Sequence, residues 1–475
     1  MHVSEDVALE ASSPAERGKQ TAAPQPLRQG PMWKTLFVFL IPLMLSNALQ
    51  SIGGAVSSVL LGQFIGVDAL AAGSAVFPVV FFLISFMIGI ASGSSVLIGQ
   101  AYGAGRMDRV KAVAGTSLTF TFLVGVVLAV AGGIGTHTVL TWMGTPTNIL
   151  ASATGYARIF FYALPMLFVY AVYTTFMRGT GDSRTPFYFL VVSTGLSLLL
   201  TPTFIFGWVG LPRLGLYGAA WANVVATLAT FVLMLVYLHV RRHPLRLDRE
   251  IVAGLKIDAA ILGQLLRIGF PTGVQMVMVS LSEIAIVTLV NRYGSDATAA
   301  YGAYYQVANY VQMPAVSIGI AVSIFGAQVI GAGRPEQLRQ VIRSGVLLNY
   351  VVGGVLVILC YLFARGILSW FLTNEHTLRM AFRLLMITLW SYLIFGNAQV
   401  FSGIMRASGT VVWPTVLSVI SIWCVEIPVA YLLSARLGID GVWLGYCAAF
   451  VVSLLLLYGY YRWFWRRKEH KRLIA

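Results

Sequence analysis

The sequence predicts an all-α polytopic membrane protein: twelve transmembrane helices in two six-helix lobes, related as a parallel internal repeat. Three observations carry this. The 475 residues are 58% hydrophobic and only 10% charged, whereas a soluble domain carries about 25% charged residues. Twelve apolar runs follow one another along the chain, each near or above the about 20 residues that a membrane helix needs. Motifs of the first six runs return in the second six at one sequence offset. Runs of this length, in a medium where every backbone polar group must be satisfied internally, imply helices.

Residues 1–30 are polar and rich in Ser, Ala, Pro and Gln. They lack the apolar core of a signal peptide and are expected to form a disordered cytoplasmic tail. Six runs follow at 34–62, 72–98, 112–135, 153–177, 185–208 and 216–240, making an N-terminal lobe of residues 31–243. A connector, 244–264, is expected to be cytoplasmic. Six more runs lie at 265–291, 299–326, 342–364, 380–404, 411–434 and 442–465, making a C-terminal lobe of residues 265–467, with a basic tail at 468–475.

An even number of spans puts both ends on one side, and charge says which. With the ends inside, inner segments hold 25 Lys and Arg; outer segments hold six, Arg213, Arg292, Arg365, Arg379, Arg383 and Arg436. Basic residues concentrate on the cytoplasmic side of membrane proteins, so both termini are expected in the cytoplasm and the protein in a bacterial inner membrane. The net charge of +15 is read as topogenic charge facing anionic lipid, not as a nucleic-acid surface. Arg158, near the outer end of span four, is expected to snorkel outward. The three cysteines, Cys360, Cys424 and Cys447, lie inside apolar runs without CxxC spacing and read as packing residues. His239 and His243, four apart in a basic loop, have no third ligand for a metal.

GQAYGAGR at 99–106 returns as AQVIGAGR at 327–334, an offset of 228 that also pairs Gly66-Val67-Asp68-Ala69 with Gly294-Ser295-Asp296-Ala297, Met177-Arg178 with Met405-Arg406, and Pro186 with Pro414. Pro42 and Pro271 match one residue out of step. Because each half holds an even number of spans, the copies share an orientation, the parallel-repeat arrangement of transporters with the path between the halves. The Gly-Ala-Gly-Arg turns lack the lysine and hydroxyl of a phosphate-binding loop, so nucleotide hydrolysis is not expected; their glycines suit tight turns and close helix packing.

These motifs resemble the multidrug and toxic compound extrusion family over about residues 33–465. The prolines Pro42 and Pro271, the stretches Gln100…Gly103-Ala104-Gly105 and Gln328…Gly331-Ala332-Gly333, and Arg178-Gly179-Thr180-Gly181-Asp182 with Pro186 carry the resemblance. It implies two six-helix lobes in a V and alternating-access efflux of amphipathic, often cationic, compounds, driven by inward protons or sodium ions. One departure stands out. Many bacterial members carry an aspartate in span one where this chain has Val56-Ser57-Ser58, and some carry one in span ten where it has Asn397 and Gln399.

Glu283 remains, and resembles the span-seven glutamate of cation-coupled members. It lies mid-way along a span that should cost on the order of 3 kcal/mol to interrupt with an acid, so it reads as the coupling site for a proton, a sodium ion or a cationic drug. The bland alternative has Ser280 or Ser282 satisfying the carboxyl. Glu426 lies two residues before Pro428, which frees the Cys424 carbonyl, giving a second candidate for ion coupling. Span eight is polar, and Tyr304, Tyr305, Gln306 and Asn309 suit a cationic substrate through cation–π contact and hydrogen bonds; Tyr301 suits an interfacial belt. Asn47 and Gln50 in span one, Phe81 in span two, and Asn397 and Gln399 in span ten complete the candidate substrate face. No catalytic residue, resident metal or cofactor is expected beyond the coupling H+ or Na+, and a monomer is expected. A lipid-linked oligosaccharide flippase is the rival of related fold, but it would need cationic groups mid-membrane where this chain has acids. A membrane enzyme would need a clustered His or Asp motif at the membrane surface.

Overall fold

The computed structural model describes residues 31–210, 212–249, 251, 254–372, 374–468 and 472–473; side chains at 55, 57–59, 62–64, 67, 70 and 209 are outside that description. The expected tail 1–30 and the side chains of Ser57 and Ser58 therefore lie outside the described residues. Described residues form helices and turns without a strand: α1 (Met32–Phe64), α2 (Val67–Gly103), α3 (Met107–Trp142), α4 (Thr147–Gly179), α5 (Arg184–Phe206), α6 (Leu216–Val240), α7 (Ala259–Asn291), α8 (Ser295–Gly331), α9 (Pro335–Ser369), α10 (Glu375–Thr388 continued by Ser391–Ala407), α11 (Val412–Leu437) and α12 (Ile439–Trp463). Eleven are long and apolar enough to cross a membrane on their own, and α10 makes the twelfth if its two parts, inclined at 46°, count as one span.

Three departures from plain helix have local causes. The bend in α10 leaves backbone groups without helical partners, and the Tyr361 hydroxyl takes up two: it accepts from Trp390 N–H at 3.2 Å and donates to Met386 O at 3.3 Å. A π-helical stretch Asn349–Gly353 interrupts α9, where Asn349 donates to Leu393 O at 2.9 Å. Another, Ser421–Glu426, interrupts α11 just before Pro428, whose missing N–H breaks the regular ladder. Of the spans expected at 342–364, 380–404 and 411–434, the first and third are single helices with a π-helical stretch inside them, and only the second is bent into two parts. Helix α7 starts earlier than the apolar run, at Ala259, because Asp258 caps it by accepting from the N–H groups of Ala260 and Ile261.

The connector is not a loose loop. Asp248 pairs with Lys111 at 2.5 Å, Thr116 donates to Lys256 O at 3.1 Å, and Tyr173 donates to Leu245 O. These contacts lay it across the ends of α3 and α4. Arg158 is exposed, and it donates to Gly133 O of α3 at 3.0 Å. Cys360 and Cys447 are buried as expected, but Cys424 is exposed.

The lobes meet at the end of the bundle that carries the connector and the Gly-Ala-Gly-Arg turns, here called the basic end. Close approach there depends on glycine. A methyl added at Gly103 would lie 2.0 Å from Gln328 O, and one at Gly331 would lie 2.0 Å from Gln100 O. Gly89 and Gly93 similarly admit the backbone of Gly269 and Leu265. Helix α8 packs against both lobes and is the most enclosed span, with 83% of its most apolar stretch buried. Further along, away from this closure, Phe77, Phe81 and Phe82 of α2 are exposed.

Candidate functional site

Glu283 lies about 21 Å along α7 from Gly269, at 1.5 Å per residue, and so beyond the level where the lobes close. It is half-buried, and Tyr305 of α8 directs its hydroxyl at both carboxyl oxygens, at 3.4 and 3.5 Å. These are long bonds and leave most of the carboxyl's accepting capacity unused. The two serines that could have satisfied it do not. Ser280 donates to Met276 O and Ser282 to Val279 O, each back-bonding its own helix.

Behind Tyr305 a tyrosine cluster fills the C-terminal lobe. Tyr301 stacks on Trp443 with ring centres 5.7 Å apart and shares a hydrogen bond with Tyr446 at 2.9 Å; Tyr304 shares one with Tyr392 at 3.1 Å. Both are buried. Tyr301 is therefore not an interfacial-belt residue, and Tyr304 faces the lobe interior instead of an open substrate face. The cause is helical spacing: residues 301 and 304 share the face of α8 that packs on α12, while Tyr305 and Gln306 turn to the exposed side. Asn309 is half-buried. Glu426 is buried at the end of the π-helical stretch of α11. Glu283 and Glu426 thus lie on two spans of the C-terminal lobe, α7 and α11, that pack on one another.

The remaining candidates fall elsewhere. Asn47 donates to Ser317 Oγ at 3.0 Å and so links α1 to α8, while Gln50 is exposed. Asn397 is buried and held by Asn349 at 3.2 Å and by the Tyr350 hydroxyl, to which it donates at 2.8 Å. Gln399 packs against Gly319. Phe81 is exposed and stacks with Phe77. Among the described residues there is no group of three His, Cys, Asp or Glu able to hold a metal, and His243 Nδ1 accepts from Leu245 N–H at 3.1 Å.

The residue reading missed what Gln100 and Gln328 do. Gln100 Nε2 donates to Ala407 O at 2.8 Å, and Gln328 Nε2 donates to Gly179 O at 2.9 Å. The two donors are related by the repeat offset, and so are the two acceptors. The pair is therefore reciprocal: each lobe's glutamine caps the end of a helix in the other. The repeated Gly-Ala-Gly-Arg motif carried the signal, since a polar residue kept in both copies beside a turn needs a partner.

Two lobes of six spans, joined through helix ends and carrying an acid–tyrosine pair away from the closure, define a two-lobed membrane transporter of the duplicated kind. The sequence matches the MatE family over residues 42–203 and again over 271–432, and the chain belongs to that family of multidrug efflux transporters. It is 59% identical to the probable multidrug resistance protein YoeA of Bacillus subtilis, over 93% of this chain and 96% of that one. It is 28% identical to YpnP of the same organism, also named a probable multidrug resistance protein, over 92% and 96%. In fold it resembles the crystal structure of an aspartate-to-asparagine mutant of the Vibrio cholerae transporter VcmN, with a TM-score of 0.85 at 19% identity, over 92% of this chain and 98% of that one.

Proposed function

We propose that the protein exports small amphipathic, mainly cationic, organic compounds across a bacterial cytoplasmic membrane in exchange for inward protons or sodium ions, with Glu283 as the exchanging carboxyl. The observation that carries this is Glu283 itself: half-buried in a span and held, among the described residues, by two long bonds from Tyr305. A carboxyl so placed can take a proton, a sodium ion or a substrate cation, but the three compete, and competition for one site is what antiport needs. Glu426, buried in the neighbouring span α11, is the second carboxyl of this reading and a further candidate for ion coupling. Tyr305 and Gln306 offer a π face and an amide to an arriving cation. The basic end faces the cytoplasm in this reading, as the distribution of Lys and Arg indicates.

The test is uptake of a fluorescent organic cation into proteoliposomes under separately imposed proton and sodium gradients, comparing wild type with Glu283→Gln. Coupling at Glu283 requires that wild type respond to one gradient and that the variant lose that response. Equal transport by the variant would make the residue structural. No cation movement by wild type under either gradient would turn attention to lipid-linked substrates.

A further inference from the structure

The chain beyond α12 does something the repeat does not require. Trp465 donates to Ser408 Oγ at 2.8 Å, which brings the chain back over the turn that follows α10. Leu473 is then held between the lobes. Its N–H donates to Gln100 Oε1 of α2 at 2.8 Å, and its carbonyl accepts from Gln264 Nε2 of α7 at 2.6 Å. Its side chain lies against Gly409, where an added methyl would come within 2.9 Å of Leu473 Cδ1. Gly409 has φ of +77°, so glycine serves both the turn and the contact. One residue's backbone thus joins the N-terminal lobe to the C-terminal lobe at the closed end.

The comparison between halves isolates this contact. Both ends of the Gln100 amide are engaged, its nitrogen donating across to Ala407 O and its oxygen accepting from Leu473 N–H. Its counterpart Gln328 makes the equivalent donation, but its Oε1 is buried and has no partner among the described residues. The register equivalent of Leu473 under the repeat offset is Leu245, and Leu245 spends its N–H on His243 Nδ1. Among the described residues the fastening exists on one side only, so it is not a by-product of the duplicated fold.

We infer that Arg472–Leu473 is a strap that fastens the basic ends of the two lobes and must come away before they can part there. It biases the protein toward the state closed at that end. The consequence for transport rests on the reading above that this end faces the cytoplasm; the fastening itself does not.

The experiment is a pulsed electron–electron distance measurement on the full chain in detergent and in lipid. Spin labels go on Asp108→Cys and Glu336→Cys, exposed repeat-equivalent positions at the starts of α3 and α9, with Cys360, Cys424 and Cys447 replaced by alanine. Leu473→Pro removes the N–H given to Gln100; Gln264→Leu removes the other tie; Leu473→Met keeps both. The first two are expected to shift part of the distribution to longer distance, with the double variant shifted no further than the larger single one. Leu473→Met should keep the parental distribution. Distributions for Leu473→Pro and Gln264→Leu that superimpose on the parent would overturn the strap. The readout needs neither transport nor a membrane orientation, so failure of the efflux reading would leave it intact and separately visible.

Discussion

In the proposed exchange, the chemistry at Glu283 comes down to one carboxyl and one phenol. Replacing Glu283 with glutamine should lower gradient-driven uptake by roughly 5- to 150-fold, the range that corresponds to a coupling free energy of about 1–3 kcal/mol; the proteoliposome assay measures it. Tyr305→Phe removes two bonds already at 3.4 and 3.5 Å, so its effect should be smaller, under about 1 kcal/mol, and should appear in substrate affinity before maximal rate. At the membrane edge, burial alone would push the Asp248 carboxyl up. The Lys111 hydrogen bond, the Ile251 N–H and the charges of Lys111 and Arg246 outweigh that and hold it below its usual range. A depressed folded value means the stabilisation is complete above the unfolded value, about 3.9, and is lost as pH falls through the folded one. Asp248→Asn should therefore cost about 1 kcal/mol at neutral pH, since solvent at the membrane edge screens the pair. It should also flatten the acid limb of a thermal-stability profile; an unchanged profile would show that the pair contributes nothing. Glu283 and Glu426 were legible from sequence because an acid in an apolar run stands out. The Lys111–Asp248 pair was not, because its members lie far apart in the chain, in different elements, and nothing local joins them.

At the scale of helices, glycine sets how closely the lobes approach. Gly103→Ala would put a methyl 2.0 Å from Gln328 O, and backbone cannot yield as a flexible side chain would. We expect a cost of about 1–3 kcal/mol and a population displaced from the state closed at the basic end, read as a lower melting temperature and a longer distance between Asp108 and Glu336 labels. Pro428→Ala restores the N–H missing in α11 and should draw the Ser421–Glu426 stretch toward regular helix, turning Glu426 relative to Glu283; altered ion dependence of transport would report it, and wild-type ion dependence would count against a role for Glu426. Hydrophobic runs announced the helices, but not their breaks. The bend of α10 depends on Tyr361 from a neighbouring helix, and the π-helical turn of α9 depends on Asn349 reaching Leu393. The face of α8 was misread for a related reason: spacing groups residues 301, 304 and 305 near one another, but only packing on α12 decides that Tyr301 and Tyr304 turn inward.

For the whole molecule, the reciprocal glutamines predict paired but unequal effects. Gln100→Leu and Gln328→Leu should each remove one cross-lobe bond worth about 1 kcal/mol. Gln100→Leu should cost more, because it also frees Leu473; equal melting temperatures for the two variants would argue that the strap contributes nothing. The sequence by itself determined the membrane class, the number of apolar runs, the duplication and the family, because hydrophobicity, charge bias and repeated motifs are properties of the chain that need no neighbours. Only the tertiary structure decided which residues meet across the two halves and at the site: Gln100 with Ala407 and Leu473, Gln328 with Gly179, Tyr305 with Glu283. Those contacts join segments up to 373 residues apart, and their partners are chosen by how packed helices and lobes come together, which no local pattern encodes.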